Sequence, residues 1–510
     1  MKRVLILAVL MTLMVLQVAV AQDKTLEEKL ELFSEYAVEV QEKWGIPGMA
    51  FAVVKGNEVL LQECSGYLST EREKEVNEET NFQIGSTSKA FTTTLIAMLE
   101  AENRLDWHDK VRAHHPTFEM YDAWVSKNME IRDLTSQHSG LAAYAADYLS
   151  IAGYSKDYMI DKLAEIEPVY AFRSDFTYVN NLFLVAEKVL ENLTGLKQEK
   201  LLKERIFKPL EMMNTTVSYE DFINSDNHVV TYKYELENQN NKNEITFKAY
   251  DEDDDTFRWS YTYLPAGGIN SNINDMINWL TFHINAGHFK GETIVSEQSL
   301  KYVYQPATFI HSEKPGDLIA YCQGWVYEDR EDLVTIWHNG STFGSKTMIA
   351  FLPEYNVGIV ILSNVGDTNM PDNLARDFFD LYLDREFQKR AMNEVESLLD
   401  QKPDLSGETK SHEEQTLADK AYTGRYENRV YGIVEINSID GELIMTMGPG
   451  NLKITLHHLF RDTFRMDLDQ LYMDDFGQAT FSIGKNAQAT GFSIDYVEAE
   501  GCGTFERVVE

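Results

Sequence analysis

The sequence predicts an α+β fold in which helices flank an antiparallel sheet, followed by a small all-β domain at the C-terminus. Strand-like apolar runs occur at residues 49–62 and 332–363, and a long, mainly helical region from about 100 to 330 separates them. We expect the two sets of runs to pair in one sheet. After a polar stretch at 401–415, short alternating runs with turn signals such as Asp440-Gly441 are typical of a sandwich or a barrel.

Residues 1–21 have the features of a signal peptide. Lys2 and Arg3 precede an apolar run, and Ala19-Val20-Ala21 precedes the expected cleavage site. We therefore expect an exported protein, either periplasmic or secreted. Because the apolar run is shorter than the ~20 residues of a typical membrane span, a membrane anchor is the weaker alternative. No stable membrane insertion is expected after cleavage.

The first elements of the mature chain follow in order. Residues 25–44 predict an amphipathic helix, and Thr25 with Glu28 fits a capping box at its start. Gly56-Asn57 then joins two apolar runs, which is a signal for a tight β-hairpin. A short strand at 82–84 is expected to lead directly into the next helix.

The second half of the chain returns to strand character. Three short apolar runs lie within 332–363, and one helix is predicted over 373–398. The predicted domains are a main domain at 22–400, a linker at 401–415 and an all-β domain at 416–510. The length of the chain, 510 residues, agrees with two or more domains.

Charge and cysteine content exclude some classes of partner and fold. The chain has 82 acidic and 46 basic residues, a formal net charge of -36, which argues against nucleic acid and anionic membrane surfaces as partners. Cys64, Cys322 and Cys502 are widely spaced and odd in number, so no disulfide framework is predicted. Stability must therefore come from burial.

Ser86 and Lys89 form the first candidate catalytic pair. In a helix, side chains three residues apart lie on one face, and a serine hydroxyl becomes a nucleophile when an adjacent base accepts its proton. The same spacing recurs at Ser482 and Lys485, where no helix is expected, so that occurrence is interpreted as chance.

Two further motifs supply the groups that such a nucleophile needs. Tyr178 and Asn180 offer a phenol and an amide, and a nearby ammonium would favour the phenolate form of Tyr178. His338, Gly340 and Ser341 follow a predicted strand, and glycine lets a ligand approach the backbone. Taken alone, a buried tyrosine ring or a hydrogen-bonded histidine at a sheet edge would explain these residues without catalysis.

These three motifs, in this order, resemble the serine β-lactamase and penicillin-binding-protein superfamily. The resemblance covers about residues 25–395 and is strongest for the branch with class C β-lactamases, D-alanyl-D-alanine carboxypeptidase B, D-aminopeptidases and esterases. Supporting stretches are Ile46-Pro47-Gly48, the segment 131–141, Thr194-Gly195, Pro209-Leu210-Glu211-Met212 and Pro265-Ala266-Gly267-Gly268-Ile269.

The resemblance implies roles for the site residues. Ser86 would be acylated, Lys89 and Tyr178 would share proton transfer, and Asn180 would hold the substrate amide. The backbone amides of Ser86 and Ser341 would form the oxyanion hole. Class C β-lactamases have Lys-Thr-Gly where this chain has His338-Asn339-Gly340, which puts efficient β-lactam hydrolysis in doubt because histidine is largely neutral at neutral pH.

The C-terminal segment also has a likeness. Tyr422-Thr423-Gly424-Arg425-Tyr426 and the stretches after it resemble the small, lipocalin-like β-barrel domain that often follows these hydrolases.

The functional hypothesis is an exported serine hydrolase that acts on amide or ester bonds through an acyl-enzyme. Its substrate would be a small molecule or a peptide, with D-amino-acid-containing substrates among the candidates. No metal ion or organic cofactor is expected. The alternatives are a β-lactamase or cell-wall DD-carboxypeptidase and a non-catalytic penicillin-binding sensor. The sequence does not predict the oligomeric state.

Overall fold

A computed structural model of the protein describes residues 24–239, 242–312, 314–401, 417–468 and 477–509. The predicted signal peptide, and the predicted linker apart from residue 401, lie outside these ranges.

The main domain is built on an eight-stranded antiparallel sheet. Its strands, in spatial order, are Glu58–Gly66, Gly48–Lys55, Val357–Ser363, Ser345–Leu352, Leu333–Thr342, Val326–Arg330, Leu318–Tyr321 and Thr308–Ile310. The strands from the two ends of the domain pair as predicted, since residues 49–55 lie opposite 357–363. The predicted fold class, helices around an antiparallel sheet with an all-β domain after it, is confirmed.

Both faces of this sheet are buried under helices. In the strand Gly48–Lys55, Phe51 packs toward the helices Leu26–Trp44 and Met370–Tyr382, while its neighbour Ala52 faces the opposite core. Successive side chains of a strand point to opposite faces, so a continuous apolar run is what a sheet covered on both sides requires.

Most helices lie in the middle of the main domain and at its two ends. Helices of ten residues or more are Leu26–Trp44, Ser88–Ala101, Asn181–Thr194, Ile273–Ile284, Met370–Tyr382 and Arg390–Leu399. Shorter ones are Val111–His114, Ala123–Asn128, Ile131–Thr135, Tyr148–Ile151, Lys156–Lys162, Gln198–Leu202, Tyr219–Ile223, Trp259–Thr262, Leu264–Gly267, Glu297–Tyr302 and Asp495–Ala499. The capping box predicted at Thr25 and Glu28 is present.

The helical middle region contains more strand than expected. Residues 308–330 add three strands to the edge of the main sheet, and Tyr232–Gln239 pairs with Lys242–Ala249 in a separate hairpin. The edge strands have three to five residues each, too few to show a clear alternation in sequence.

The helix predicted over 373–398 is two helices. Asp384 and Lys389 adopt left-handed backbone conformations between Met370–Tyr382 and Arg390–Leu399. The carboxylate of Asp377, on the first helix, accepts hydrogen bonds from the backbone N–H groups at the start of the second helix. This cap satisfies donors that a helix start leaves free.

The C-terminal strands form a closed barrel. They are Gly424–Asn428, Gly432–Ile439, Glu442–Met447, Leu452–Phe460, Thr463–Asp467, Gln478–Ile483, Ala489–Ile494 and Thr504–Arg507, and the first pairs with the last. Aromatic rings fill the interior: Phe481 lies 5.0 to 5.5 Å, between ring centroids, from Tyr422, Phe464 and Phe492. Around Phe481, the interior of the barrel is therefore filled by the barrel's own side chains. Within the described ranges, no helix combines the length and apolar character needed to cross a membrane.

Candidate active site

Ser86 lies at the start of a buried helix. It belongs to a short 3₁₀ turn, Gly85–Thr87, that continues into the helix Ser88–Ala101. The preceding strand, Phe82–Gln83, pairs with Asn270–Ser271 and fixes the approach of the chain. Gly85 has φ +50°, a conformation that glycine adopts at low cost. The sequence prediction of a strand leading into a helix here agrees with the structure.

Lys89 is fully buried beneath Ser86. Its Nζ lies 3.2 Å from Ser86 Oγ, 2.7 Å from Asn180 Oδ1 and 2.9 Å from the carbonyl oxygen of Ala266. Three acceptors match the three N–H bonds of an ammonium group. Burial nevertheless lowers the pKa of Lys89 to about 7, because an apolar environment disfavours the charged form. Lys89 can therefore accept a proton near neutral pH.

Asn180 connects Lys89 to the partly buried carboxyl group of Asp147. Its Oδ1 accepts the hydrogen bond from Lys89, and its Nδ2 donates to Asp147 Oδ2 at 2.6 Å. The hydroxyl of Tyr263 donates to Asp147 Oδ1 at 3.3 Å. Burial raises the pKa of Asp147 to about 7, although Asn180 and the charge of Lys89 oppose the shift. Both the oxygen and the nitrogen of the Asn180 amide thus make hydrogen bonds within the protein.

Tyr178 lies close to both Ser86 and Lys89. Its hydroxyl lies close to those of Ser86 and Tyr321, and Lys89 Nζ lies 4.6 Å from the centre of its ring. Burial raises the pKa of Tyr178 above its ordinary value. The expectation that the neighbouring ammonium would favour phenolate is therefore not met, because burial disfavours the charged form of the phenol.

His338 is neutral and has a defined tautomer. Burial, together with the charge of Lys89, lowers the pKa of His338 to about 3. Its Nδ1 lies 2.5 Å from the carbonyl oxygen of Asn339, and its Nε2 lies 2.9 Å from the hydroxyl of Tyr321. Because a carbonyl oxygen can only accept, Nδ1 carries the proton, and Tyr321 donates to Nε2. The oxygen of Tyr321 is then free to accept a hydrogen bond from Tyr178.

Gly340 and Ser341 bring a strand edge against the Ser86 turn. A Cβ added at Gly340 would lie 2.0 Å from the carbonyl oxygen of Ile84 and 2.9 Å from Ser86 N. A Cβ added at Gly85 would lie 2.6 Å from Ser341 N. Two glycines therefore allow the backbones of Ser86 and Ser341 to approach each other. The side chain of Ser341 is exposed to the cleft.

A cleft of about 520 Å³ opens over these groups. Its polar wall contains Ser86, Asp147, Tyr178, Asn180, His338, Asn339, Ser341 and Lys346, and its apolar and aromatic wall contains Tyr144, Phe176, Trp259, Ile310, Tyr321, Val326 and Trp337. The structure thus brings every sequence-predicted site residue together. In the part of the chain that it describes, no group of three or more histidine, cysteine, aspartate or glutamate side chains is placed to hold a metal ion.

Comparison with known families identifies the main domain. Residues 33–383 match the beta-lactamase family. The chain belongs to the beta-lactamase family. Residues 408–504 match a second family, described as a domain of unknown function, DUF3471. That match covers the strands of the barrel from Gly424 to Ile494.

Curated relatives of this beta-lactamase-family chain include two proteins of different origin. It is 25% identical over 351 residues to "Unguisins hydrolase ungD'" of Aspergillus campestris (strain IBT 28561), covering 65% of this chain and 61% of that protein. It is 24% identical over 335 residues to "Protein flp" of Staphylococcus aureus (strain NCTC 8325 / PS 47), covering 65% and 62%. The chain spans about three fifths of the length of these relatives.

A solved structure resembles nearly the whole chain. It is the "octameric penicillin-binding protein homologue from Pyrococcus abyssi", with a TM-score of 0.59 and 18% identity, covering 93% of this chain and 99% of that one. At this identity, the likeness shows a shared fold for the beta-lactamase-family domain and the barrel.

Three groups of this beta-lactamase-family site did not emerge from the sequence. Asp147 and Tyr321 belong to no short motif, and Ala266 lies in a stretch that supports the family resemblance without indicating a role for its carbonyl. Asp147 is one of 82 acidic residues, so composition gave no signal for it. Its role depends on tertiary contact alone.

Proposed function

We propose that this chain is an exported serine hydrolase that cleaves amide or ester bonds through an acyl-enzyme on Ser86. One observation carries the proposal: Lys89 Nζ lies 3.2 Å from Ser86 Oγ, and burial lowers its pKa to about 7. A neutral amine beside a serine hydroxyl is the arrangement that activates the nucleophile. A curated relative whose printed name is that of a hydrolase supports the reaction class.

The first half of the reaction forms the ester. Ser86 Oγ attacks the substrate carbonyl carbon while its proton moves to Lys89 Nζ. The negative oxygen of the tetrahedral intermediate accepts hydrogen bonds from the N–H groups of Ser86 and Ser341. Donors of this kind contribute about 3 kcal/mol each to stabilising the transition state. Breakage of the scissile bond then requires a proton for the leaving amine or alcohol, and Lys89 returns it through the neutral hydroxyl of Tyr178.

The second half of the reaction releases the acid. A water molecule attacks the ester carbonyl, gives its proton to Lys89 and frees Ser86 Oγ, which takes the proton back. Asn180 keeps Lys89 directed at Ser86 in both halves, since its Oδ1 accepts from Nζ at 2.7 Å. No step uses a metal ion or an organic cofactor.

The cleft favours substrates with an apolar or aromatic group. Phe176, Trp259, Ile310 and Trp337 line it, and burying apolar surface contributes about 25 cal/mol per Å². A peptide or a small ester with an aromatic or branched side chain fits this chemistry. D-amino-acid amides and peptides belong in the same substrate screen.

A β-lactamase or DD-carboxypeptidase is the second candidate, and Lys346 is the observation that favours it. Its ammonium lies on the cleft wall, on the strand position opposite Ser341, and is 3.6 Å from Asp372 Oδ2. The neutral His338 provides no positive charge for a substrate carboxylate, but Lys346 does. Nitrocefin turnover that falls in Lys346→Met would favour this candidate.

Covalent labelling of Ser86 tests the main proposal. The full chain is treated with a fluorophosphonate probe and analysed by intact mass, with Ser86→Ala as the blank. We expect one adduct on the wild type and none on the variant. Turnover is then screened with p-nitrophenyl esters, D-amino-acid amides, peptides and nitrocefin. A folded wild type that is neither labelled nor active would contradict the proposal, and labelling without turnover would favour a non-catalytic sensor.

A further inference from the structure

The barrel is packed directly against the segment that forms one wall of the active site. Tyr154 donates its hydroxyl hydrogen to the carbonyl oxygen of Tyr431 at 2.6 Å, and the N–H of Gly450 donates to the carbonyl oxygen of Ala152 at 2.9 Å. These bonds join the barrel to the residues that follow Asp147 in the chain. The barrel is therefore hydrogen-bonded to the segment that continues from this wall of the site.

Glu500, in the barrel domain, is hydrogen-bonded to the segment that carries Asp147. Its side chain is buried, with 4% of its surface exposed. Its Oε2 accepts a hydrogen bond from the backbone N–H of Ala146 at 3.0 Å and one from the hydroxyl of Tyr431 at 3.1 Å. Ala146 directly precedes Asp147, which holds Asn180. A continuous series of bonds thus runs from the barrel to Lys89.

The segment held by Glu500 has an unfavourable backbone. Tyr144 and Ala146 have φ values of +59° and +60°, which non-glycine residues rarely adopt. Conformations of this kind persist only where surrounding contacts hold them. The other contacts come from the main domain: the N–H of Tyr144 donates to the Tyr178 carbonyl, and Asn181 donates to the Ala145 carbonyl. The N–H of Ala146 has its partner in the barrel.

We propose that Glu500 is a positioning residue for the active site, and that the barrel serves through it to hold residues 144–147 in the conformation that places Asp147 against Asn180. This inference rests on the proposed function of the site. It gives the barrel a part in the reaction although none of the barrel residues that the structure describes lines the cleft. The barrel would stabilise the active-site segment of its own chain, whether or not substrate is bound.

The protonation state of Glu500 suggests a conservative variant. Burial raises the pKa of Glu500 to about 8, and the charge of Asp147 adds to the shift. The titratable groups around Glu500 are Asp147, Tyr148, Tyr263, Tyr431, Tyr496 and Cys502. Since the neutral acid predominates at pH 7, a glutamine at this position keeps the shape and the acceptor oxygen.

Hydrogen–deuterium exchange of the full chain tests the inference without depending on activity. We expect Glu500→Ala to raise the exchange rate of a peptide covering residues 144–149 by at least tenfold, because the Ala146 N–H loses its acceptor. Glu500→Gln should keep wild-type protection. Glu498→Ala is the matched control, since Glu498 is an exposed glutamate two residues away in the same part of the barrel.

The rate of fluorophosphonate labelling at Ser86 provides the functional readout. Glu500→Ala should slow labelling, and lower kcat, at least tenfold, while KM changes less than threefold and Glu500→Gln recovers most of the rate. Unchanged exchange and labelling in Glu500→Ala would overturn the inference. A wild type that resists labelling would contradict the proposed function instead, and exchange would still test the brace.

A gentler variant covers the case in which Glu500→Ala does not fold. Tyr431→Phe removes one donor to Glu500 and keeps the aromatic ring. We expect it to raise exchange in residues 144–149 by a few fold, with strands of the main sheet unaffected. Exchange at the wild-type level in Tyr431→Phe, together with normal labelling, would then overturn the inference.

Discussion

At the scale of single residues, Lys89 shows a conflict between function and stability. Burying an ammonium group completely costs free energy, and the lowering of the Lys89 pKa to about 7 reflects that cost. The three acceptors around Nζ reduce it without removing it. In the proposed mechanism, the neutral amine is the base that Ser86 needs.

Replacing Lys89 should separate these two effects. Lys89→Met is expected to lower kcat/KM at least 10³-fold while leaving the protein folded, because the nucleophile loses its base. The folded state of the wild type binds fewer protons at this site than the unfolded state between about pH 7 and the ordinary lysine pKa, so its stability rises with pH there. Lys89→Met should lack that rise in urea unfolding. Near-normal activity would remove Lys89 from the mechanism.

The pH dependence of the wild type follows from the same shift. Lys89 accepts a proton only in its neutral form, so kcat/KM should increase with pH through the region around pH 7. Asp147 titrates in the same region and is linked to Lys89 through Asn180, so the observed value belongs to the pair. A profile that is flat between pH 5.5 and 8.5 would contradict this assignment.

Tyr321 is the second residue-scale test, since it joins Tyr178 to His338. Tyr321→Phe leaves Nε2 of the buried His338 without a donor and removes the hydroxyl next to Tyr178. We expect kcat to fall about tenfold and stability by about 1–2 kcal/mol. Tyr327→Phe, at a tyrosine on the neighbouring strand that does not line the cleft, serves as the control and should change neither.

The active-site residues that the sequence predicted and those that it did not predict differ in one physical respect. The spacing of Ser86 and Lys89 is enough to predict that they are neighbours, because two side chains three residues apart lie on one face of a helix. Asp147 and Tyr321 meet the site only through the tertiary fold. The state of Tyr178 was also beyond local reasoning, since burial, which the sequence does not show, decides its pKa.

At the scale of elements, the site depends on a strand edge and a helix start approaching at backbone distance. Gly340 permits this contact because a Cβ there would lie 2.0 Å from the carbonyl oxygen of Ile84. Sequence patterning anticipated the strands of this sheet that have seven residues or more, such as Val357–Ser363. It did not anticipate the short edge strands within 308–330, because three to five residues show too little periodicity.

Gly340→Ala should therefore displace the strand from the Ser86 turn. We expect kcat/KM to fall at least 10²-fold, because the Ser341 amide leaves the position where the oxyanion forms. Ser341→Ala is the matched control: it keeps the backbone amide and changes only an exposed side chain. Equal activity in the two variants would mean that the oxyanion hole lies elsewhere.

At the scale of the whole molecule, the packed barrel and the main domain share a close backbone contact. Gly153 has φ +81°, and a Cβ added there would lie 2.7 Å from the N atom of Gly450. Gly441, in a barrel turn, has a similar φ of +89° but nothing within 4 Å of such a Cβ. The two glycines therefore have the same backbone requirement and differ in the contact between domains.

Alanine substitutions at Gly153 and Gly441 measure how strongly the two domains stabilise each other. Gly441→Ala should cost about 1–2 kcal/mol, the ordinary penalty for an L-residue in the left-handed region. Gly153→Ala adds a clash across the interface and should cost about 1–3 kcal/mol more. Urea unfolding followed by tryptophan fluorescence compares the two variants. Equal losses would show that the barrel is loosely attached at this contact, in which case it could not brace residues 144–147 at the cleft.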